Sequence, residues 1–234
     1  MTDDIVAALV AANRALGAAG HSDMVWGHVS IVDPAGRGVW MKASGWAFEE
    51  VTEERVVLVS PTGEVLEGSG RRHLEYPIHT QIVAARPDVG AVVHTHAPSA
   101  VAFASLNVPL RPISHDAIMF VNPDIPRFTQ TGALIADAET GDALAATVGA
   151  QAGALIPGHG LVTVGSSVAE AVMRAVLLNK ACEIQLAAMA AGGPAQWSDD
   201  DEVALKKATV ASPALLQSGY DYLVRRAGTE TGPR

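Results

Sequence analysis

The run "VGAVVHTH", residues 89–96, constrains this chain more than any other stretch. An apolar segment of that length, with Pro87 before it and Pro98 after it, reads as a buried strand. It closes on two histidines. On a strand, residues i and i+2 face the same side, so His94 and His96 converge on a point that Thr95 does not face. Two core or surface histidines that happen to alternate are the plain alternative for a bare H-x-H. His159 is a third candidate, in "IPGHGLVTVG", where Gly158 and Gly160 allow an unusual turn or a close approach to something bound. Three neutral imidazoles that leave a position open suit a catalytic cation, because the vacant position must accept substrate or water.

The rest of the chain supplies the elements such a strand needs around it. Ile5, Leu9, Ala12 and Leu16 recur at helical spacing behind Asp3 and Asp4, and Gly17 and Gly20 mark the exit. From about residue 25 to 67 the pattern changes to short strands, "MVWGHVSIV", "GVWMKASG" and "RVVLVS", followed by the turn and strand "PTGEVLE". Pro77 suits the first turn of a helix in "YPIHTQIVAAR", and Pro98 opens another in "PSAVAFASL". "GDALAATVGA" reads as helical, "GALIPGHGLVTVG" as two strands around a turn, and "VAEAVMRAVLLNKACEIQLAAMAAGG" as the strongest helix. This alternation predicts an α/β protein. With no repeat and no linker, residues 1–234 are expected to form a single domain, a size that one core commonly reaches. Residues 192–234 are expected to be a C-terminal tail or lid, with Tyr220 and Tyr222 placed to close over a site in the same or a neighbouring subunit.

A formal net charge of -9 argues against nucleic acid as a partner, since phosphate contacts need clustered Lys and Arg. No apolar run is long enough to cross a bilayer, and the amino terminus opens on acids rather than on the basic start of a signal peptide. Cys182 is the single cysteine, which points to a cytoplasmic protein without disulfides; beside Leu178 and Leu186 it reads as a small core residue.

The segments "GHVS", "ASG", "EEVTEERVVLV", "LEYPIHTQIVAARPDVGAVVHTHAPSAVAFA" and "GHGLVTVG" followed by "EAV" resemble the class II aldolase/adducin family, from about Val6 to Ala191. The resemblance implies a three-layer α/β/α sandwich around a mainly antiparallel central sheet, assembled as a homotetramer with active sites near subunit interfaces. It also implies that His94, His96 and His159 hold one divalent ion per subunit, Mn2+, Zn2+ or Fe2+, and that Glu75 is the catalytic acid/base. A glutamate beside a cation can bind it at rest or move protons to and from carbon. The alternative makes Glu75 a capping acid for the helix that starts at Tyr76.

Sugar-phosphate aldolases of this family carry G-N-x-S, [TS]-G and S-S-E stretches that hold the phosphate. Here these read Gly27-His28-Val29-Ser30, Ser44-Gly45 and His73-Leu74-Glu75. An imidazole and an isobutyl group in place of two hydroxyls remove phosphate donors. The expected substrate is therefore a small carboxylate, contacted by His28, Ser44, Gly45, Arg71 and Arg72, with Lys42 nearby; solvated surface arginines are the alternative for the last pair. In "RPISHDAIMF", His115 and Asp116 are further candidate substrate contacts, with Asp116 where some aldolases have a proton-donating tyrosine. The combination is similar to the branch that decarboxylates hydroxylated aromatic or pyridine dicarboxylates such as dihydroxyphthalates, with Glu75 or His73 protonating carbon. Two rivals stay open: an aldolase or epimerase acting on an unphosphorylated hydroxy-carbonyl compound, and an adducin-like binding module without chemistry.

Overall fold

The apolar and alternating segments form seven strands in the computed structural model, which describes residues 2–230. They are β1 His28–Val32, β2 Val39–Lys42, β3 Val56–Val59, β4 Val65–Glu67, β5 Ala91–Thr95, β6 Gly153–Ile156 and β7 Gly160–Gly165. All join one sheet in the order β4-β3-β2-β1-β5-β7-β6, and every pairing is antiparallel. Strands β2, β3, β5, β6 and β7 are buried along their whole length, so helices must cover both faces.

On one face lie α1 Thr2–Ala18, α3 Pro98–Ala104, α5 Val168–Ala190 and α7 Pro213–Glu230, around a core that includes Leu9, Phe48, Val93, Phe103, Leu161 and Leu178. On the other lie α2 Tyr76–Ala85 and α4 Ala138–Val148, which bury Ile78, Ile82 and Leu144 against Val92, Val162 and Val164. This is the three-layer α/β/α sandwich. Each fully buried Leu, Ile or Phe contributes about 1.5–3 kcal/mol. Asp137 caps α4, Ser167 caps α5 and Asp199 caps α6 (Asp200–Val210), their side chains accepting from the N–H groups of Thr140, Glu170 and Glu202. Truncating any one of these caps costs about 1 kcal/mol. The expected single domain over 1–234 includes residue 1 and residues 231–234, which lie outside the described residues. Among the described residues no helix is long and apolar enough to cross a membrane.

Two expectations need correction. The run read as a strand from Met24 begins only at His28, because Met24 takes φ 50°, outside any extended conformation. The turn that results leaves Met24 and Trp26 exposed. Within the stretch read as a tail or lid, α7 is packed rather than free to close: Leu216, Tyr220, Leu223 and Ala227 form an apolar stripe at helical spacing, buried against α1 and α5. Tyr220 is thus a core residue of this chain, whereas Tyr222 is exposed.

Candidate metal centre

Strand register gathers the site at one end of the sheet. His94 on β5 lies opposite His28 on β1, and Thr95 lies opposite Leu161 on β7. His96 follows directly, beside the β6–β7 turn that carries His159. That turn needs its glycines: Gly158 sits at φ 71°, and a Cβ at Gly160 would collide with the Thr95 carbonyl. The amino terminus of α2 then delivers Glu75 to the same point.

The donor atoms of Glu75, His94, His96 and His159 all lie within 4.8 Å of one another. Hydrogen bonds decide which ring nitrogens are bare. His94 Nδ1 is 2.8 Å from the Leu161 carbonyl, which can only accept, so its proton sits there and Nε2 is a lone pair. His96 Nδ1 donates in the same way to the Asp23 carboxylate at 2.9 Å. The two bare Nε2 atoms then face each other at 3.1 Å. His159 has neither ring nitrogen hydrogen-bonded, and both are buried. Lone pairs brought together around a carboxylate repel unless a cation lies between them, so this donor set fits a divalent ion of the zinc, manganese or iron type. Desolvation pushes His94 down to about 3, which keeps it in the neutral, ligating form.

Glu75 occupies the N-cap position of α2, yet its side chain makes no capping hydrogen bond, which sets aside the alternative reading. Oε1 accepts the Ile135 N–H at 3.0 Å and lies 3.3 Å from His159 Nε2. Oε2 is 3.7 Å from His94 Nε2 and 3.8 Å from His28 Nε2. Burial works to raise its pKa, but the neighbouring His159 and His28 imidazoles more than offset this and hold the carboxyl well below the usual range.

The other sequence-predicted residues divide. His73 is buried with its ring centroid 4.5 Å from that of His28, and Leu74 beside it is exposed. Ser44 donates its N–H to the Arg71 carbonyl at 2.7 Å, which draws Ser44, Gly45 and Arg71 to the His73 edge of the site. Arg72 donates to the backbone carbonyls of Gly63 and His73 and stacks on Tyr76. Lys42 is fully buried and donates to the Val25 and Trp46 carbonyls. Lys42, taken out of water, spends its donors on these carbonyls, whereas Arg72 is partly exposed and keeps N–H groups beyond the two it spends on backbone. His115 is exposed, and Asp116 pairs with Lys180 at 3.4 Å, on a short 3-10 turn held by α5 and α6. Within this chain neither joins the histidine cluster. Cys182 is buried in the core with Leu178, and burial raises its thiol to about 12.

Residues the sequence did not single out complete the site. Asp23 orients His96; His79 lies 2.7 Å from both His28 Nδ1 and Ser30 Oγ; His21 Nδ1 lies 3.1 Å from Thr95 Oγ1. An open cleft of about 600 Å³ beside the cluster is lined by Asp23, Trp26, His96, Pro98, Val101 and His159.

Two expected results follow from these contacts. Asp23→Ala weakens metal binding by about 10–100-fold in a chelator competition, because the carboxylate that fixes the His96 ring is gone. Unchanged affinity would count against Asp23 as the orienting group. The metal-free protein also loses stability in acid. Burial pushes His21 down to about 4 and His79 to about 3, so both stay neutral when folded but take up a proton in the unfolded chain near pH 6.5. Below that pH the unfolded state binds more protons, and at pH 5 each residue costs about 2 kcal/mol relative to pH 7.5. Urea midpoints measured at the two pH values test this, and equal midpoints would contradict it.

The profile of the family described as Class II Aldolase and Adducin N-terminal domain matches residues 7–186. Decarboxylase NovR of Streptomyces niveus is 31% identical over 175 residues, which are 74% of this chain and 64% of NovR. Alpha-adducin of Mus musculus is 32% identical over 182 residues, covering 75% of this chain and only 24% of the adducin. Among solved structures, L-fuculose 1-phosphate aldolase from Glaciozyma antarctica PI12 superposes with a TM-score of 0.86 at 27% identity, over 97% of this chain and 90% of that one.

Proposed function

The chain belongs to the class II aldolase and adducin family, and on that premise we propose that it is a metal-dependent decarboxylase of a hydroxylated aromatic or heteroaromatic carboxylate such as a dihydroxyphthalate. The observation that carries this reading is the pair of buried, neutral imidazoles, His28 and His73, packed 4.5 Å apart beside the cluster. They fill the edge where phosphate-binding relatives of the resemblance carry an amide and a hydroxyl. Desolvation keeps His73 near a pKa of about 3, so it offers a phosphate dianion no positive charge. The cleft wall of Trp26, Pro98 and Val101 suits a flat ring, and relatives of this chain include one named as a decarboxylase. Arg71, whose guanidinium has no partner among the described residues, and Arg72, which keeps N–H groups beyond its backbone contacts, are the cations offered to a substrate carboxylate.

A divalent ion held by His94, His96 and His159 would supply positive charge to an oxygen on which negative charge develops. Glu75, ionised at rest, takes the proton of the substrate's phenolic hydroxyl as the ring enters. The bond from ring carbon to carboxylate then breaks, carbon dioxide departs, and the electron pair stays on the ring and its oxygen. Glu75 returns the proton to the vacated carbon, forming the new C–H bond. His28 and His73 exclude water from that edge.

The test is to load the purified protein with manganese or zinc and follow carbon dioxide release from a panel of ortho-hydroxylated aromatic dicarboxylates. Metal-dependent release is expected. Aldehyde formed from unphosphorylated hydroxy-carbonyl compounds, with no carbon dioxide, would select the aldolase reading; failure to bind any metal would select the adducin-like one. Light scattering is expected to give the mass of a homotetramer, as the family resemblance implies.

A further inference from the structure

We propose that Ser30 and His79 are positioning residues that lock His28 as a hydrogen-bond donor aimed into the metal centre, whichever bond the enzyme breaks. The chain of contacts is short and fully buried. Ser30 Oγ lies 2.7 Å from His79 Nδ1, and His79 Nε2 lies 2.7 Å from His28 Nδ1. His28 Nε2 then points at Glu75 Oε2, 3.8 Å away. Ser30, His28 and His79 are 0–2% exposed, so water does not complete any of these contacts. Local structure makes the alignment: Ser30 and His28 are two residues apart on β1 and share a face, and His79 lies one helical turn after Glu75 on α2.

Two proton arrangements satisfy the two imidazole contacts, and they send opposite groups into the site. In the first, His28 Nδ1–H donates to His79 and His79 Nδ1–H donates to Ser30. That arrangement leaves the buried Ser30 hydroxyl proton without an acceptor, since among the described residues His79 is its one partner. It also turns a bare His28 Nε2 toward a carboxylate oxygen. In the second, the Ser30 hydroxyl donates to His79 Nδ1, His79 Nε2–H donates to His28 Nδ1, and His28 Nε2–H faces Glu75. The Ser30 and His79 protons then both have acceptors, and the His28 donor faces the anion 3.8 Å away.

An unsatisfied buried donor and a lone pair set against a carboxylate both carry a penalty, so the second arrangement wins on both counts. One proton on each ring satisfies this arrangement, so both contacts are met by neutral imidazoles. His28 is therefore a fixed neutral donor to Glu75, or to a substrate oxygen that replaces the carboxylate, and it cannot serve as a base.

The inference needs no substrate to test. In long-range nitrogen–proton correlation spectra of the zinc-loaded chain at pH 8, His28 is expected to show a bare Nδ1 and a protonated Nε2, and His79 the same pattern. The opposite pattern on His28 would overturn the proposal. His79→Leu and Ser30→Ala are expected to populate the other His28 tautomer while zinc stoichiometry stays unchanged. His79→Gln keeps an amide donor near the old Nε2 and is expected to restore the wild-type His28 pattern. Should His79→Leu not fold, Ser30→Ala carries the test, and a wild-type His28 spectrum in that variant would mean that the serine and its partner position nothing.

Discussion

Replacing His94 with alanine is expected to abolish turnover and to weaken metal binding by well over the roughly 100-fold that loss of an orienting partner can cause. His94 is fully buried, its Nδ1–H is tied to the Leu161 carbonyl, and its bare Nε2 lies 3.1 Å from that of His96. The nearest other imidazole, His28 on the paired strand, is held through its Nδ1 by His79 and so does not replace the lost ligand. The thermodynamic signature separates a ligand from a packing residue. In the metal-free wild type, converging lone pairs work against folding, so removing one ring costs little beyond its packing. With metal present at about 100 times its dissociation constant, the wild type gains about 2.7 kcal/mol that the variant does not. Metal content after dialysis and melting temperatures with and without chelator give the two readouts. Stoichiometric metal in His94→Ala, with the same chelator-induced shift as the wild type, would place the ion elsewhere.

How much of this was legible before the fold was known depends on the range of each contact. His94 and His96 could be paired because strand periodicity is local, and His159 stood out because its glycines mark a turn that L side chains resist. The three-layer order rested on the family resemblance. His79 and Ser30 left a readable trace, one a helical turn from Glu75 and the other two residues from His28, but only the β1–α2 packing shows that they meet. Asp23 left none: it reaches His96 across 73 residues from a turn that reads as strand. Lys42 misled because a sequence reports a cation and not the carbonyls that consume it. Tyr220 misled for a similar reason, since the partners of its apolar stripe, α1 and α5, are distant in sequence. His115 and Asp116 are where the resemblance pointed and yet lie outside the cluster of their own chain.

Glu75→Gln is expected to lower turnover by about 10²–10⁴-fold, the usual worth of a positioned acid/base, while metal binding falls far less than in His94→Ala. The amide preserves shape and keeps an oxygen to accept the Ile135 N–H, so α2 and the loop it meets stay in place. What it loses is the ability to cycle a proton. The competing donor is His73, and its surroundings argue against it. Burial is the largest cause of its fall to about 3, and Nε2 has no hydrogen-bond partner, so near neutral pH the ring holds no extra proton to give. Glu75, ionised at rest, can instead collect a proton from the substrate and hand it on. His73→Ala is therefore expected to reduce turnover by less than Glu75→Gln does and to leave metal content intact. If His73→Ala were the more damaging change, the proton would have to come from the imidazole. Glu75 would then be a metal ligand alone, held ionised by His159 and His28 for that purpose.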